Sequence, residues 1–456
     1  MKMFPPSSFC LRAVLFLGLA VGSAAGLEPE FEWVISAGGA LHDKTRGIAT
    51  DGQGNVFLTG EFTGTATFGE HTLTSVGGMD FFIAKVDPAG KFLWVRSGGG
   101  DKIDRGYAIA TDKKGNSYVT GHFESSEAFF GTNKIVNKGN YDLFVAKYDP
   151  NGNLLWIKAG GGAGSDNGHG IAVDEMGHVF VTGSVVGGFS LDEMPLGGAG
   201  GSHVFCLMLD PDGKIGWCRV AEGDGSSSGQ SISVDQRGNC FVGGSAGGGG
   251  SFGGVALTNV KGRDVLVTCF NSSGRNVWLH QGYGSGGAMI HGIKADGAGN
   301  VWAAGMFKGE LNLQERAVQS AGKDDILLMN FNPKGELKWT KTGGGDGIDY
   351  GLGVAADSAG NSVLSGSFQG KMTFGDAEKT STGGTDIYLA GFDESGKQTW
   401  FLQPEGKATE HAYTLALDPS GSLFISGACS GPTTFGKHSV GNLGSNDVFL
   451  AKVRFK

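Results

Sequence analysis

Two sets of positions carry side chains able to do chemistry, and both are fixed relative to an aspartate that recurs as Asp51, Asp112, Asp174, Asp235, Asp296, Asp357 and Asp418. Five residues before it stand Arg46, Tyr107, His169, Gln230, His291, Leu352 and Tyr413; all but the leucine are polar or aromatic. Eight residues before it stand Asp43, Asp104, Asp166, Ser227, Ala288, Asp349 and Glu410, five of them carboxylates. Aromatic rings, two histidines and acids converging on one opening would suit a sugar, a peptide or a cation. Each set could instead repeat one local task, the acids accepting backbone N–H bonds in glycine-rich loops and the aromatics plugging a channel. A zinc site needs three or four convergent ligands. His169 and His291 find no third neutral ligand in their set, so no metal and no cofactor are expected. Carboxylate pairs for glycoside chemistry could occur among Asp104, Asp166, Asp349 and Glu410, though sequence does not give their separations. No G-x-S-x-G elbow, H-E-x-x-H helix or Walker loop is present, and no catalytic residue is assigned.

The elements that must position these residues come from an internal repeat. Trp33, Trp94, Trp156, Trp217, Trp278, Trp339 and Trp400 follow one another at steps of 61 or 62 residues. Each unit carries a short run ending in Asp (GIATD, 47–51), a glycine turn and a second run (GNVFLTG, 54–60). A variable stretch then leads to a third run (DFFIAKVD, 80–87) and to the Trp run (FLWVRSGGG, 92–100). The runs are short, rich in Val, Ile, Phe and Thr, and bounded by Gly, Asn, Asp or Pro, which predicts strands joined by hairpins. Asp-Pro-Ala-Gly at 87–90 presets φ with its proline and offers a glycine for a left-handed position. The turn aspartates lack the D-x-D-x-D-G series of a calcium loop, so turn chemistry is expected of them. Four antiparallel strands per unit predict an all-β, seven-bladed β-propeller over residues 27–456, with a period of about 61 residues. The first strand carries Trp33 and the last is a third-run strand, DVFLAKV (447–453), so the N-terminal strand is expected to complete the last blade and remove an open edge. The series tryptophans, at one register in every unit, are expected to pack blade against blade.

These units, GIAxDxxGNxxxTG, then DxFxAKxDxxGxxxW, then a glycine-rich GGG segment, resemble the SBBP-type β-propeller repeat of exported bacterial proteins. The resemblance covers residues 31–456 and implies a propeller of the extracellular space or envelope. The sequence departs from the pattern at Ser227-Ser228-Gly229-Gln230 in the fourth unit and at Leu402-Gln403-Pro404-Glu405 in the seventh.

Composition narrows the partner. The chain has 456 residues, 85 of them Gly and only 11 Pro, with no G-X-Y period, which excludes collagen. Thirty Phe and 8 Trp can fill a large core. A net charge of −9 argues against nucleic acid or an anionic membrane as the main partner. Lys2 and Arg12, an apolar run at 13–22 and small residues at 23–26 read as a secretory signal over 1–26, too short to span a bilayer. No later segment could span one, so a secreted, extracellular or periplasmic location is expected. Of the cysteines left after export, Cys206 with Cys218 and Cys240 with Cys269 are candidate disulfides, and small buried hydrophobes are the alternative. Cys429 stands where the first unit has Phe62, a core position.

The reading is a monomeric propeller that acts as a non-catalytic binding scaffold for a protein or polysaccharide, with its ligand at the channel mouth or on the loop face. Two alternatives are a glycosidase or polysaccharide lyase working in the acidic and histidine funnel, and a structural surface component.

Overall fold

Turn chemistry sets the ends of each strand. In the first unit an inner strand, Lys44–Thr50, leads to Val56–Phe62, Asp80–Val86 and Phe92–Gly99. Asp51 Oδ1 accepts N–H bonds from Gln53 and Asn55, both at 2.9 Å, and its Oδ2 accepts one from the Asn55 side chain at 2.8 Å. The same pattern recurs at Asp112, Asp235 and Asp296. These carboxylates are engaged by their own loops, as turn residues should be.

The computed structural model describes residues 28–197, 200–258 and 262–456. The expected signal segment, 1–26, lies outside them. The inner strands Lys44–Thr50, Asp104–Thr111, Asn167–Val173, Ser226–Val234, Ala288–Ala295, Tyr350–Ala356 and Glu410–Leu417 pack in that order, and the last returns to the first. The fold is an all-β propeller. Second and third strands such as Val56–Phe62 and Asp80–Val86 are buried along their whole length because neighbouring units cover both faces. At the ends of the chain, Pro29–Gly39 pairs antiparallel with Asp447–Phe455, setting Val34 opposite Ala451.

The tryptophans join unit to unit. Trp94 Nε1 donates to the Pro150 carbonyl at 3.0 Å, and its ring lies where a Cβ on Gly152 would come within 2.8 Å. Gly152 has a φ of 80°, so turn geometry and the approach of the ring both call for glycine there. Trp33, Trp156, Trp217 and Trp339 donate to equivalent carbonyls at 2.9–3.3 Å.

The expected seven blades of four strands are corrected by the pairing. The described strands form nine sheets of three or more strands and one two-stranded hairpin; four of the nine have six strands, three have four and two have three. The sequence's variable stretch is the cause, because it folds as an extra hairpin, Thr65–Phe68 with His71–Thr74 in the first unit. Whether that hairpin joins a larger sheet depends on the glycines after the preceding tryptophan. Gly98 and Gly99 pair with Phe130 and Phe129, and a Cβ on Gly98 would meet the Phe130 ring at 2.6 Å. Six-stranded sheets form where the Trp33, Trp94, Trp156 and Trp339 strands end in such glycines. Where Ala221-Glu222, Gln281-Gly282-Tyr283 or Gln403-Pro404 stand instead, the hairpin is left in a small sheet of its own.

Candidate functional site

A one-residue bulge aims each member of the first ring. The pairing of every inner strand with its neighbour slips between Thr45 and Gly47, Gly106 and Ala108, Gly168 and Gly170, Gly229 and Ser231, Ile290 and Gly292, Gly351 and Gly353, and Ala412 and Thr414. The residues stepped over are Arg46, Tyr107, His169, Gln230, His291, Leu352 and Tyr413. A bulged residue leaves the ladder and its side chain is re-aimed. All of them are half-buried on the strands that surround the axis.

Neighbouring members touch around part of the mouth. Arg46 lies 4.9 Å over the Tyr107 ring, and Tyr107 meets His169 edge-on at 5.2 Å. His169 Nδ1 lies 3.0 Å from the Gly229 carbonyl. Lys44 Nζ sits 3.9 Å over the Tyr413 ring, which packs 5.3 Å from His411. His291 lies 6.1 Å from Tyr350, and Gln230 donates to Ser228 Oγ at 2.9 Å. Burial holds His122, His169, His291 and His411 down at about 4, so they are neutral at pH 7.

One ion pair anchors the ring. Arg46 donates to both oxygens of Glu61 at 2.6 and 2.7 Å, and Glu61 is fully buried. Burial alone would raise the Glu61 carboxyl, but the guanidinium outweighs it and brings it to about 2. Burial first, and the charges of Arg46 and Arg105 after it, lower the Lys44 ammonium to about 8.

The acid ring does different work. Asp43, Asp104, Asp166 and Asp349 are 0% exposed and Glu410 is 1% exposed. Asp104 accepts from Gly100 N at 2.8 Å, Glu124 N at 3.1 Å, Ser125 N at 3.3 Å and Ser125 Oγ at 2.7 Å. Asp166 accepts from Gly162 N and Val186 N, Asp349 from Gly345 N and Gln369 N, and Asp43 from Gly39 N and Thr63 N. Each Asp clamps the glycine loop before it to the loop after the second strand. Burial raises Asp43, Asp166 and Asp349 to about 6. Burial, with Asp386 beside it, raises Glu410 to about 7. Third-strand aspartates share these pockets: a Cβ on Gly99 would lie 2.7 Å from Asp80 Oδ1 and 2.9 Å from Asp104 Oδ2.

The expected cysteine pairs do not face each other. Asp210 N does bond Lys214 O, as the hairpin predicts, but the register then slips at Met208 and Leu209. Leu207 stands opposite Cys218, and Phe241 opposite Cys269. All five cysteines from Cys206 to Cys429 are free thiols. Cys206 Sγ instead lies 3.6 Å from Cys240 Sγ, across two units. Among the described residues no group of three or more His, Cys, Asp or Glu is arranged to hold a metal.

Sequence reasoning missed Lys44, Arg105, Glu61, His122 and His411. Lys44, Arg105 and His411 stand two residues before ring members, so the two-residue period of a strand points them to the same side. Glu61 and His122 are the cross-strand partners of Lys44 and Arg105.

With this geometry in place, the chain can be set beside known proteins. Residues 96–122 match the family described as Beta-propeller repeat, SBBP. The chain carries a β-propeller repeat. The matched segment runs from the end of the Trp94 strand through Tyr107 to His122, so it spans one ring member and the bulge that aims it. No curated protein matches the chain. Among solved structures it is similar to the Pan2 WD40 domain of Neurospora crassa, at 7% identity and a TM-score of 0.44, over 89% of this chain and 88% of that one. It is also similar to Sqt1 from Chaetomium thermophilum, at 10% identity and a TM-score of 0.43, over 92% of this chain and 87% of that one. No helix among the described residues is long and apolar enough to cross a membrane.

Proposed function

We propose that this protein is a non-catalytic binding scaffold that takes its ligand at the mouth of the propeller channel. The observation that carries this reading is the repeated bulge, which takes the first-ring residue out of the ladder in every inner strand and leaves it half-buried at the axis. Bulges recur beside functional sites because they re-aim side chains at the expense of pairing. The ring varies from unit to unit, from Arg46 through His169 to Leu352, and a purely structural role would not call for that variety. The glycosidase or lyase reading draws less support, since its acids are closed off from solvent and three of them, Asp104, Asp166 and Asp349, hold backbone N–H groups. Export to the periplasm or cell exterior belongs to the same proposal and rests on the basic start and apolar run of residues 1–26.

The test is a thermal-shift screen of the purified chain against oligosaccharides, peptides and divalent ions. A ligand at 100 times its Kd stabilises the folded state by about 2.7 kcal/mol. A shift with one class, lost when His169→Ala and Tyr413→Ala are combined, is the expected result. A shift that survives the double substitution moves the site away from the mouth.

A further inference from the structure

The charges at the mouth are unevenly placed. Lys44, Arg46 and Arg105 come from two adjacent inner strands and lie close enough for both arginines to act on the Lys44 ammonium. One carboxylate, Glu61, faces them, and its two oxygens are taken by Arg46. Neither Lys44 nor Arg105 forms an ion pair among the described residues; Lys44 lies over the face of Tyr413 and is drawn by the Glu61 carboxylate opposite it. Arg105 Nε is a buried donor with no hydrogen-bond partner. Buried donors without partners are rare in folded proteins. The neighbouring histidines are neutral, so this corner carries three cations against one carboxylate in a chain whose net charge is −9.

Resting on the channel-mouth reading above, we propose that this corner is an oxyanion site, in which Arg105 and Lys44 hold a carboxylate or phosphate group of the ligand. The Arg105 guanidinium offers a planar fork matched to two oxygens of such a group, and Lys44 offers a point charge beside it. Arg46 stays with Glu61 and orients Tyr107 through its contact with the ring. A cationic cluster in an acidic chain also draws incoming anions and sets them apart from neutral competitors.

The experiment is titration calorimetry of the full chain at low salt with three probes: a glucuronate trimer, inorganic phosphate and uncharged maltotriose. Binding of the uronate or of phosphate, at least tenfold weaker in Arg105→Ala and in Lys44→Ala and weaker again at high salt, supports the site. Whichever of the two probes binds identifies the source of the oxyanion. Circular dichroism of both variants separates loss of the site from loss of the fold, and Arg105→Lys should restore part of the affinity. No binding by either anion, or binding indifferent to both alanine variants, overturns the proposal. Maltotriose binding that is lost with His169→Ala and Tyr413→Ala yet unchanged by Arg105→Ala would leave the channel-mouth reading standing and remove the anion. Failure of all probes, and of the thermal-shift screen, would remove both.

Discussion

Two rings three residues apart in sequence do opposite things. The acids at Asp43, Asp104, Asp166, Asp349 and Glu410 look like catalytic candidates on paper, yet all are closed off from solvent and the four aspartates tie loops together. The ring at Arg46, Tyr107, His169, Gln230, His291, Leu352 and Tyr413 is left out of the strand ladder and faces the axis. Both sit at equivalent positions in the repeat, so periodicity alone does not tell a clamp from a site. What separates them is burial and the group each one holds: the acids are closed off from solvent and four of them hold backbone N–H groups across loops, whereas the mouth residues stay half-buried outside the ladder.

The largest effect should come from the clamps. Asp104→Ala strands the Gly100, Glu124 and Ser125 donors in a dry pocket, and each buried orphan costs about 1–3 kcal/mol. A loss on the order of 4 kcal/mol in urea unfolding is expected, against under about 1 kcal/mol for His169→Ala. If the two variants lose the same stability, the distinction between the rings is wrong.

Arg46 sharpens the comparison because it belongs to the mouth ring by position and to the clamps by chemistry. Arg46→Ala leaves Glu61 charged and fully buried, and breaking such a pair costs about 3 kcal/mol or more. Adding Glu61→Gln should recover part of that loss, because the uncompensated charge goes with it. No recovery in the double variant would mean that Arg46 stabilises through Tyr107 instead of Glu61.

How much of this is legible in the sequence depends on whether a feature is local or lies in the pairing between strands. Repeat length, turn aspartates and tryptophan packing follow from residue types at fixed spacing, and the structure has them: Asp51 closes its turn, and Trp94 reaches Pro150. The blade count does not follow. The hairpins hidden in the variable stretch join larger sheets only where glycine lets a ring such as Phe130 approach the Trp strand, and that contact is made between units. The cysteine pairs fail for a related reason. The Asp210 turn forms as its residues predict, but the shift at Met208 and Leu209 moves Cys218 from Cys206 to Leu207, and a bulge leaves no mark in composition. The ring positions emerge when the units are aligned; that they are the bulged residues does not. Lys44 and Arg105 are legible by strand alternation, since each stands two residues upstream of a ring member and so shares its face.

Buried acids of the clamp pockets and histidines of the mouth pull stability in opposite directions with pH. Asp142 opens the third strand Asp142–Tyr148 beside the clamp Asp166, and burial raises it to about 7, so the folded state holds its proton above the ordinary carboxylate range. A raised folded value gives stability that is complete below the unfolded pKa and is lost as pH climbs through about 7. The histidines work the other way: burial holds His169 at about 4, and its contribution is present above the usual imidazole range and fades as pH falls toward 4. Asp142→Asn should therefore flatten the decline in stability between pH 5 and pH 8, by on the order of 1 kcal/mol after solvent screening. An unchanged pH profile would show that Asp142 ionises normally inside its pocket.

The smallest effect belongs to the side of the mouth farthest from the charges. His291 is half-buried, neutral and 6.1 Å from Tyr350, and its ring makes no hydrogen bond or ion pair among the described residues. Its neighbours on either side are Gln230, bonded within its own strand to Ser228, and Leu352. His291→Ala removes a ring that faces the channel and orphans nothing, so stability should stay within about 0.5 kcal/mol. The same substitution should leave anion affinity near Lys44 and Arg105 unchanged, because a neutral ring on another inner strand adds little to that field. A ligand that needs the whole circumference would reveal itself here, as a loss of binding in His291→Ala without loss of fold. That result would extend the site around the mouth, while indifference would confine it to the corner between the first two inner strands.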